Sequence, residues 1–143
     1  MRGMTRGMRR CAVLLVLVGA GVLVVGAQAA SAQVIEICKS SANGMSGRDF
    51  SFTVAPSGGS AFSVGPIKGG RCSGPITVSG ASATITEAQS DPATDVKSVT
   101  VRPSARKTSE DLAGRRVTVQ TGASTASETL VTFTNQPAGG NYG

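Results

Sequence analysis

The chain has 143 residues and a formal net charge of +6, with 14 Lys and Arg against 8 Asp and Glu, and it contains no histidine or tryptophan. Its aromatic residues are four phenylalanines and one tyrosine, too few for the stacking surface of a nucleic-acid binder. The lack of histidine excludes a serine–histidine–acid hydrolase.

The first 32 residues have the pattern of a secretory signal peptide. Four arginines in "MRGMTRGMRR" precede an uncharged apolar run that ends in the small residues of "AQAASAQ". Ala30 and Ala32 fit the A-x-A rule and predict cleavage after Ala32, while Ala27 and Ala29 offer an earlier site. An uncleaved membrane anchor is the alternative, but glycines and polar residues shorten the apolar core below spanning length. We therefore expect a secreted protein, diffusing away or held at the cell surface, with no membrane span after cleavage.

Removal of this leader changes the charge of the chain. Four arginines leave with residues 1–32, so ten Lys and Arg remain against eight Asp and Glu, a net charge of +2. A nearly balanced domain has no basic footprint for nucleic acid. Residues 33–136 are predicted to form one small monomeric domain, and residues 137–143 a flexible C-terminal tail.

Two cysteines, Cys38 and Cys72, remain after cleavage, because Cys11 lies in the leader. An exported chain enters an environment where thiols oxidise, and two cysteines allow one intramolecular disulfide. Closing that loop should stabilise the fold by about 3 to 4 kcal/mol. The alternative is a reactive or metal-binding pair, but the chain has no histidine and no C-x-x-C spacing. We therefore expect neither a metal nor a cofactor.

After the first apolar stretch, "VIEICK", short runs of alternating apolar and polar residues follow one another along the chain, separated by Gly, Pro, Ser and Asn. These runs are "DFSFTV", "AFSVG", "PITVSG", "SATITEA", "VKSVTVR", "RRVTVQTG" and "TLVTFTN". The period of two predicts an all-β fold, a single antiparallel Greek-key β-sandwich of the immunoglobulin or prealbumin kind.

One segment, "RPSARKTSEDLAGRR", departs from the alternation. It could contain a helical turn in "SEDLAG", with Ser109 as its N-terminal cap. Its five basic residues could contact anionic wall polymers or phospholipid, but two acids interrupt the charge and no apolar face accompanies it. A solvated loop between strands is the favoured interpretation.

Parity along three predicted strands points three polar side chains toward the core. Residues two apart in a strand face the same side, so Lys39 shares a face with Ile35 and Ile37. By the same rule Glu87 follows Ala83 and Ile85, and Asn135 follows Val131 and Phe133. Because isolated polar groups are costly to bury, we expect Lys39, Glu87 and Asn135 to meet inside the sandwich.

An amine held against a carboxamide beside a carboxylic acid can form an isopeptide bond. Desolvation favours the neutral amine and the protonated acid. Lys39 would attack the side-chain carbonyl of Asn135, Glu87 would hydrogen-bond that carbonyl and relay the proton, and ammonia would leave. The alternatives are a non-covalent contact between Lys39 and Glu87, or unrelated positions. In the last case Lys39 would snorkel to solvent, Glu87 would begin an exposed loop and Asn135 would cap a turn.

The stretches "CKSS", "GRDFSFTV", "ITVSGASATITEA" and "VTFTNQ" together resemble the Cna protein B-type domains, prealbumin-like sandwiches of Gram-positive surface adhesins and pilins. The layout is also similar to that of small exported actinobacterial proteins. The resemblance covers roughly residues 34–136 on the alternation count. It implies that Lys39 is joined to Asn135 under catalysis by Glu87.

The sequence also departs from that family pattern. Ala83 stands near the position where the family usually has tyrosine, and the pair Cys38 and Cys72 is not a usual feature of the family. The tail "QPAGGNYG" lacks a sortase signal of the L-P-x-T-G kind, so attachment to the wall is not expected from it.

Three classes of function fit these residues. The first is a structural or adhesive module whose only chemistry is its own cross-link, with an extracellular protein or cell-wall polymer as partner. The second is a carrier of a small ligand or an inhibitor, which predicts a deep apolar pocket. The third is an enzyme with two carboxylates across an open groove, drawn from Glu36, Asp49, Glu87, Asp91 and Asp95. We favour the first and expect no turnover enzyme.

Overall fold

The computed structural model describes residues 32–139. The predicted signal peptide, except for Ala32, and the last four residues of the predicted tail therefore lie outside the described part of the chain. Within that part the order of strands is β1 Gln33–Lys39, β2 Asp49–Pro56, β3 Phe62–Lys68, β4 Cys72–Val78, β5 Ser82–Glu87, β6 Thr94–Arg102, β7 Lys107–Asp111, β8 Arg116–Gln120 and β9 Thr129–Pro137. Short 3₁₀ turns occupy Ser104–Arg106 and Thr125–Ser127.

Two sheets build the part of the chain from residue 32 to residue 139. One contains four strands in the order β4-β1-β9-β6, and the other contains five in the order β3-β2-β5-β8-β7. Buried valine, isoleucine and phenylalanine side chains from both sheets form one core cluster. The predicted all-β sandwich is confirmed.

Alternation along β2 shows why these residues form strands that pack in two layers. Phe50, Phe52 and Val54 are at most 2 % exposed, whereas Ser51 and Thr53 between them face solvent. Burying a side chain of this size contributes about 1.5 to 3 kcal/mol, so a shift of one residue in register would cost several such terms.

The strand β7 lies where the sequence suggested a helical turn. Ser109 does not cap a helix, because it lies within the strand and pairs with Thr118 of β8. The turn comes later, at residues 112–115, where Asp111 Oδ1 accepts a hydrogen bond from the Gly114 amide at 2.8 Å. Since β7 is an edge strand with mostly exposed side chains, it carries no alternating apolar residues to indicate it.

The pairing of β1 with β9 is parallel, an exception in a fold whose other strand pairs are antiparallel in the described residues. In this register Lys39 lies beside Phe133. β9 extends to Pro137, one residue beyond the predicted end of the domain. Nothing in residues 32–139 forms an apolar helix of the length that a bilayer requires.

Candidate functional site

The outer face of β1 carries a disulfide bond. Cys38 and Cys72 are directly opposite each other in the antiparallel β1–β4 pair, with their Cα atoms 3.9 Å apart, and the structure joins them as the sequence predicted. The Glu36 carboxylate lies within 4.8 Å of both sulfur atoms. Because both sulfur atoms are in the disulfide, neither is the thiolate that a metal would bind.

The inner face of the sandwich holds the three polar residues that parity pointed inward. Lys39, Glu87 and Asn135 are 1 %, 1 % and 0 % exposed. Their burial contradicts the alternatives of a snorkelling lysine, an exposed loop residue and a turn cap. Lys39 and Asn135 come from neighbouring strands of the four-stranded sheet, while Glu87 reaches them from the facing sheet.

Glu87 bridges the amine and the carboxamide. Its Oε2 atom lies 2.9 Å from Lys39 Nζ, and its Oε1 atom accepts a hydrogen bond from Asn135 Nδ2 at 2.5 Å. Lys39 Nζ also donates to Asn135 Oδ1. The sequence predicted a hydrogen bond between Glu87 and the side-chain carbonyl of Asn135. In the structure Glu87 contacts the amide nitrogen of Asn135 instead, and the carbonyl oxygen accepts a hydrogen bond from the Lys39 amine.

Two further residues complete this polar cluster, and the sequence analysis assigned neither to it. Thr94, at the start of β6, receives a hydrogen bond from Asn135 Nδ2 at its Oγ1 atom, 2.8 Å away. Arg115, in the turn between β7 and β8, forms an ion pair with Glu87 Oε1. Arg115 adopts a left-handed backbone with φ of 58°, which no residue pattern indicated.

Aromatic side chains surround the cluster. Lys39 Nζ lies 4.2 Å from the centroid of the Phe50 ring, a cation–π contact within the core. The rings of Phe52 and Phe133 pack 5.1 Å apart, and Phe52 pairs with Glu87 across β2 and β5. These rings exclude water from the charged groups.

The segment between β1 and β2 packs over the cluster. Asn43 donates from Nδ2 to the main-chain carbonyl of Asn135 at 2.8 Å, and Met45 is buried at 1 % exposure. Gly69 allows this segment to approach, since a Cβ there would lie 1.8 Å from the Met45 carbonyl oxygen. Asn135 is thus fixed through both its side chain and its backbone.

Burial determines the electrostatics of Lys39. Desolvation lowers the pKa of its amine, while the hydrogen bond and the charge of Glu87 act in the opposite direction. The positive charges of Arg115 and Arg48 lower the pKa of Lys39 further. The amine is therefore a better nucleophile near neutral pH than a lysine in water.

Most of the basic side chains between positions 102 and 116 contact acceptors within the molecule. Arg106 donates to the Ser127 carbonyl, Lys107 pairs with Glu110 and Arg116 with Asp111. With Arg115 on Glu87, four of the five basic residues contact acceptors of this chain. This arrangement does not favour the alternative of a surface for anionic polymers.

The carboxylates considered for a glycosidase-like pair lie in different environments. Glu87 faces the core, and Asp49 pairs with Lys68 at 2.8 Å on the exposed surface. Glu36, on the outer face of β1, lies near Glu128 and raises the pKa of that carboxyl. Glu87 is thus placed for chemistry inside the protein and not at an open groove.

Comparison of the chain with protein-family models, with curated proteins and with solved structures finds no match.

Proposed function

We propose that this chain is a secreted structural or adhesive β-sandwich module that links its first strand to its last through an isopeptide bond between Lys39 and Asn135. The observation that carries the proposal is the position of Glu87. One carboxylate contacts both the attacking amine and the amide nitrogen that would leave. Burial of all three groups excludes the water that would compete.

The reaction needs one proton relay. The neutral amine of Lys39 attacks Cγ of Asn135, and a C–N bond forms while Glu87 Oε2 accepts a proton from Nζ. Glu87 then delivers this proton to Nδ2, the bond between Cγ and Nδ2 breaks, and ammonia leaves. Thr94, bonded to Nδ2, holds the leaving nitrogen toward the carboxylate.

A bond of this kind would make the sandwich hard to open. It would connect β1 and β9, which are hydrogen-bonded neighbours, and close residues 39–135 into a loop. The disulfide between Cys38 and Cys72 fastens β1 to β4 on its other side. A module with a doubly anchored first strand suits a rigid extracellular role, where disulfides also persist.

The carrier alternative required a deep apolar pocket. Recesses of about 300 to 460 Å³ in the described residues are lined by strand-edge and turn residues, among them charged Lys68, Arg71 and Arg115. That lining does not favour an apolar ligand. The structural module is therefore the function that we propose.

Intact mass of the purified, exported protein under denaturing and reducing conditions tests this proposal. We expect the wild type to lack the mass of one ammonia, and we expect Lys39→Ala and Glu87→Ala to show the full mass of their sequences. Lys68→Ala is the matched control, because Lys68 is an exposed lysine in an ion pair, and it should retain the deficit. A wild type of full mass would remove the isopeptide chemistry.

A further inference from the structure

We propose that Arg115 is a positioning residue for this cross-link, which keeps a positive partner on Glu87 when the Lys39 amine becomes neutral. The inference rests on the proposed isopeptide chemistry. It adds to that chemistry a residue that neither the predicted triad nor the resemblance contains.

The contacts of Arg115 fix it in this place. Its Nη2 atom donates to Glu87 Oε1 and its Nε atom to the main-chain carbonyl of Glu87 at 3.2 Å, while Nη1 donates to the Thr94 carbonyl. The Arg115 carbonyl accepts the amide of Glu87 at 2.8 Å. Arg115 thus binds one oxygen of the carboxylate and leaves the other, Oε2, to Lys39.

The contact between Arg115 and Glu87 matters because it changes the charge balance of the buried cluster. A buried ion pair that loses one partner leaves an uncompensated charge, which is strongly unfavourable. If Lys39 were the sole counter-ion of Glu87, deprotonation of the ammonium would leave the buried carboxylate without a partner. That cost would oppose loss of the proton from Lys39. With Arg115 on Oε1, the carboxylate remains paired after Lys39 has lost its proton.

Three charged groups act on the Lys39 amine in the described structure. Glu87 approaches from β5, Arg115 from the turn between β7 and β8, and Arg48 from the segment before β2. Both arginines favour the neutral amine, and Glu87 favours the ammonium. Arg48 lies over the Phe50 ring, with Cζ 5.7 Å from its centroid, and it is not bonded to Glu87 in the contacts described.

Arg115 lies closer to solvent than Lys39. Its side chain is 12 % exposed, against 0 % for that of Lys39. It also lines a surface recess of about 300 Å³ together with Gln89 and Asp95. A guanidinium remains protonated across the working range of proteins. With Arg115 bound to Oε1, the Glu87 carboxylate therefore keeps a charged partner while Oε2 accepts the proton that Nζ gives up during attack.

The first test follows cross-linking in time. The full chain is synthesised in an oxidising cell-free reaction, and the fraction that has lost ammonia is measured by mass at several pH values. We expect Arg115→Met to slow cross-linking by about tenfold at pH 7, the effect of one pKa unit, and to shift the rate profile to higher pH. Arg115→Lys should recover part of the rate. Arg116→Met, which removes an exposed ion pair with Asp111, is the matched control.

The second test does not require cross-linking. In Asn135→Ala, which cannot react, the Lys39 amine is titrated by ¹⁵N NMR with and without Arg115→Met. We expect Lys39 to hold its proton to higher pH when Arg115 is absent. Equal titration midpoints in folded variants, or equal cross-linking rates and pH profiles, would overturn the role of Arg115. A wild type that never loses ammonia would instead overturn the cross-link itself, while the titration still decides the effect of Arg115 on Lys39.

Discussion

On the inner face of β1, Lys39 lies among groups of complementary charge and hydrogen-bonding character, whereas on the outer face Glu36 lies against a second carboxyl, that of Glu128. The next residue on the outer face, Cys38, is held by the disulfide to Cys72. The two faces of one strand thus satisfy their polar side chains in different ways.

The difference follows from access to water. Lys39 and Glu87 have fully buried side chains, so each must find its partners within the protein. Glu36 and Glu128 are only half-buried as residues, so solvent reaches part of the pair, although Glu128 Oε2 is itself buried without a hydrogen-bond partner. Each charged group on the inner face therefore needs partners of opposite charge or hydrogen-bonding character within the protein. The outer face holds the unfavourable carboxyl pair of Glu36 and Glu128 beside the disulfide. Each of the following predictions tests this contrast.

Lys39→Ala should have the largest effect. It removes the proposed cross-link and also leaves Glu87 with one counter-ion fewer in the core, a change that costs about 3 to 5 kcal/mol even without a covalent bond. We expect the melting temperature to fall by about 15 °C or more. Lys68→Ala, at an exposed pair, should change it by about 3 °C or less. An unchanged melting temperature for Lys39→Ala would mean that Glu87 does not need Lys39 as a partner on the inner face.

Loss of the disulfide should have the next largest effect. The double variant Cys38→Ser, Cys72→Ser opens a loop with a sequence separation of 34 residues, and we expect it to lose about 3 to 4 kcal/mol of stability. The protein should remain folded at ambient temperature, because the proposed cross-link would still hold β1 to β9. Circular dichroism during thermal and urea unfolding measures both effects.

Combining the two changes sharpens the comparison. In Lys39→Ala the disulfide is the remaining covalent link of β1 among the described residues, so reduction should unfold this variant at ambient temperature while it leaves the reduced wild type folded. Complete unfolding of the reduced wild type would show that the inner face contributes no covalent anchor.

Alternation predicted much of this fold and of the site. Strands such as β2 could be found because every second residue is apolar, and the same rule placed Lys39 and Asn135 on the core side. Parity gives the direction of a side chain but not its partner across the sandwich. The contact of Glu87 with the amide nitrogen, in place of the carbonyl, therefore required the packing of the two sheets.

The residues that the sequence did not reveal lie where local pattern carries no signal. β7 is an exposed edge strand held by its pairing with β8, and its polar side chains resemble those of a loop. Arg115, in the turn after β7, has a left-handed backbone and reaches Glu87 with its side chain. Neither fact follows from apolar periodicity, because β7 is held by its pairing with β8 and Arg115 by its contact with Glu87, 28 residues away in the chain.

The smallest effect is expected at the outer carboxyl pair. The hydrogen bond with Glu36, followed by desolvation and the charge of Glu36, raises the pKa of Glu128 above its usual value of 4.5. A raised pKa in the folded state means that the protonated pair contributes its stability below pH 4.5, and that this contribution is lost as pH rises through the folded value. At neutral pH the two ionised carboxyls repel each other.

Glu128→Gln should therefore stabilise the protein at pH 7, by about 0.5 kcal/mol, the scale of one cross-strand pair. The melting temperature should rise by about 2 to 4 °C at pH 7 and should be unchanged relative to the wild type at pH 4, where the native pair already holds its proton. Glu110→Gln is the matched control, because it removes an attractive partner of Lys107 and should act in the opposite direction at pH 7. If Glu128→Gln lowered the melting temperature at pH 7, the ionised Glu128 would have a favourable contact on the outer face. The two faces of β1 would then not differ in how well the charges of their side chains match those of their neighbours.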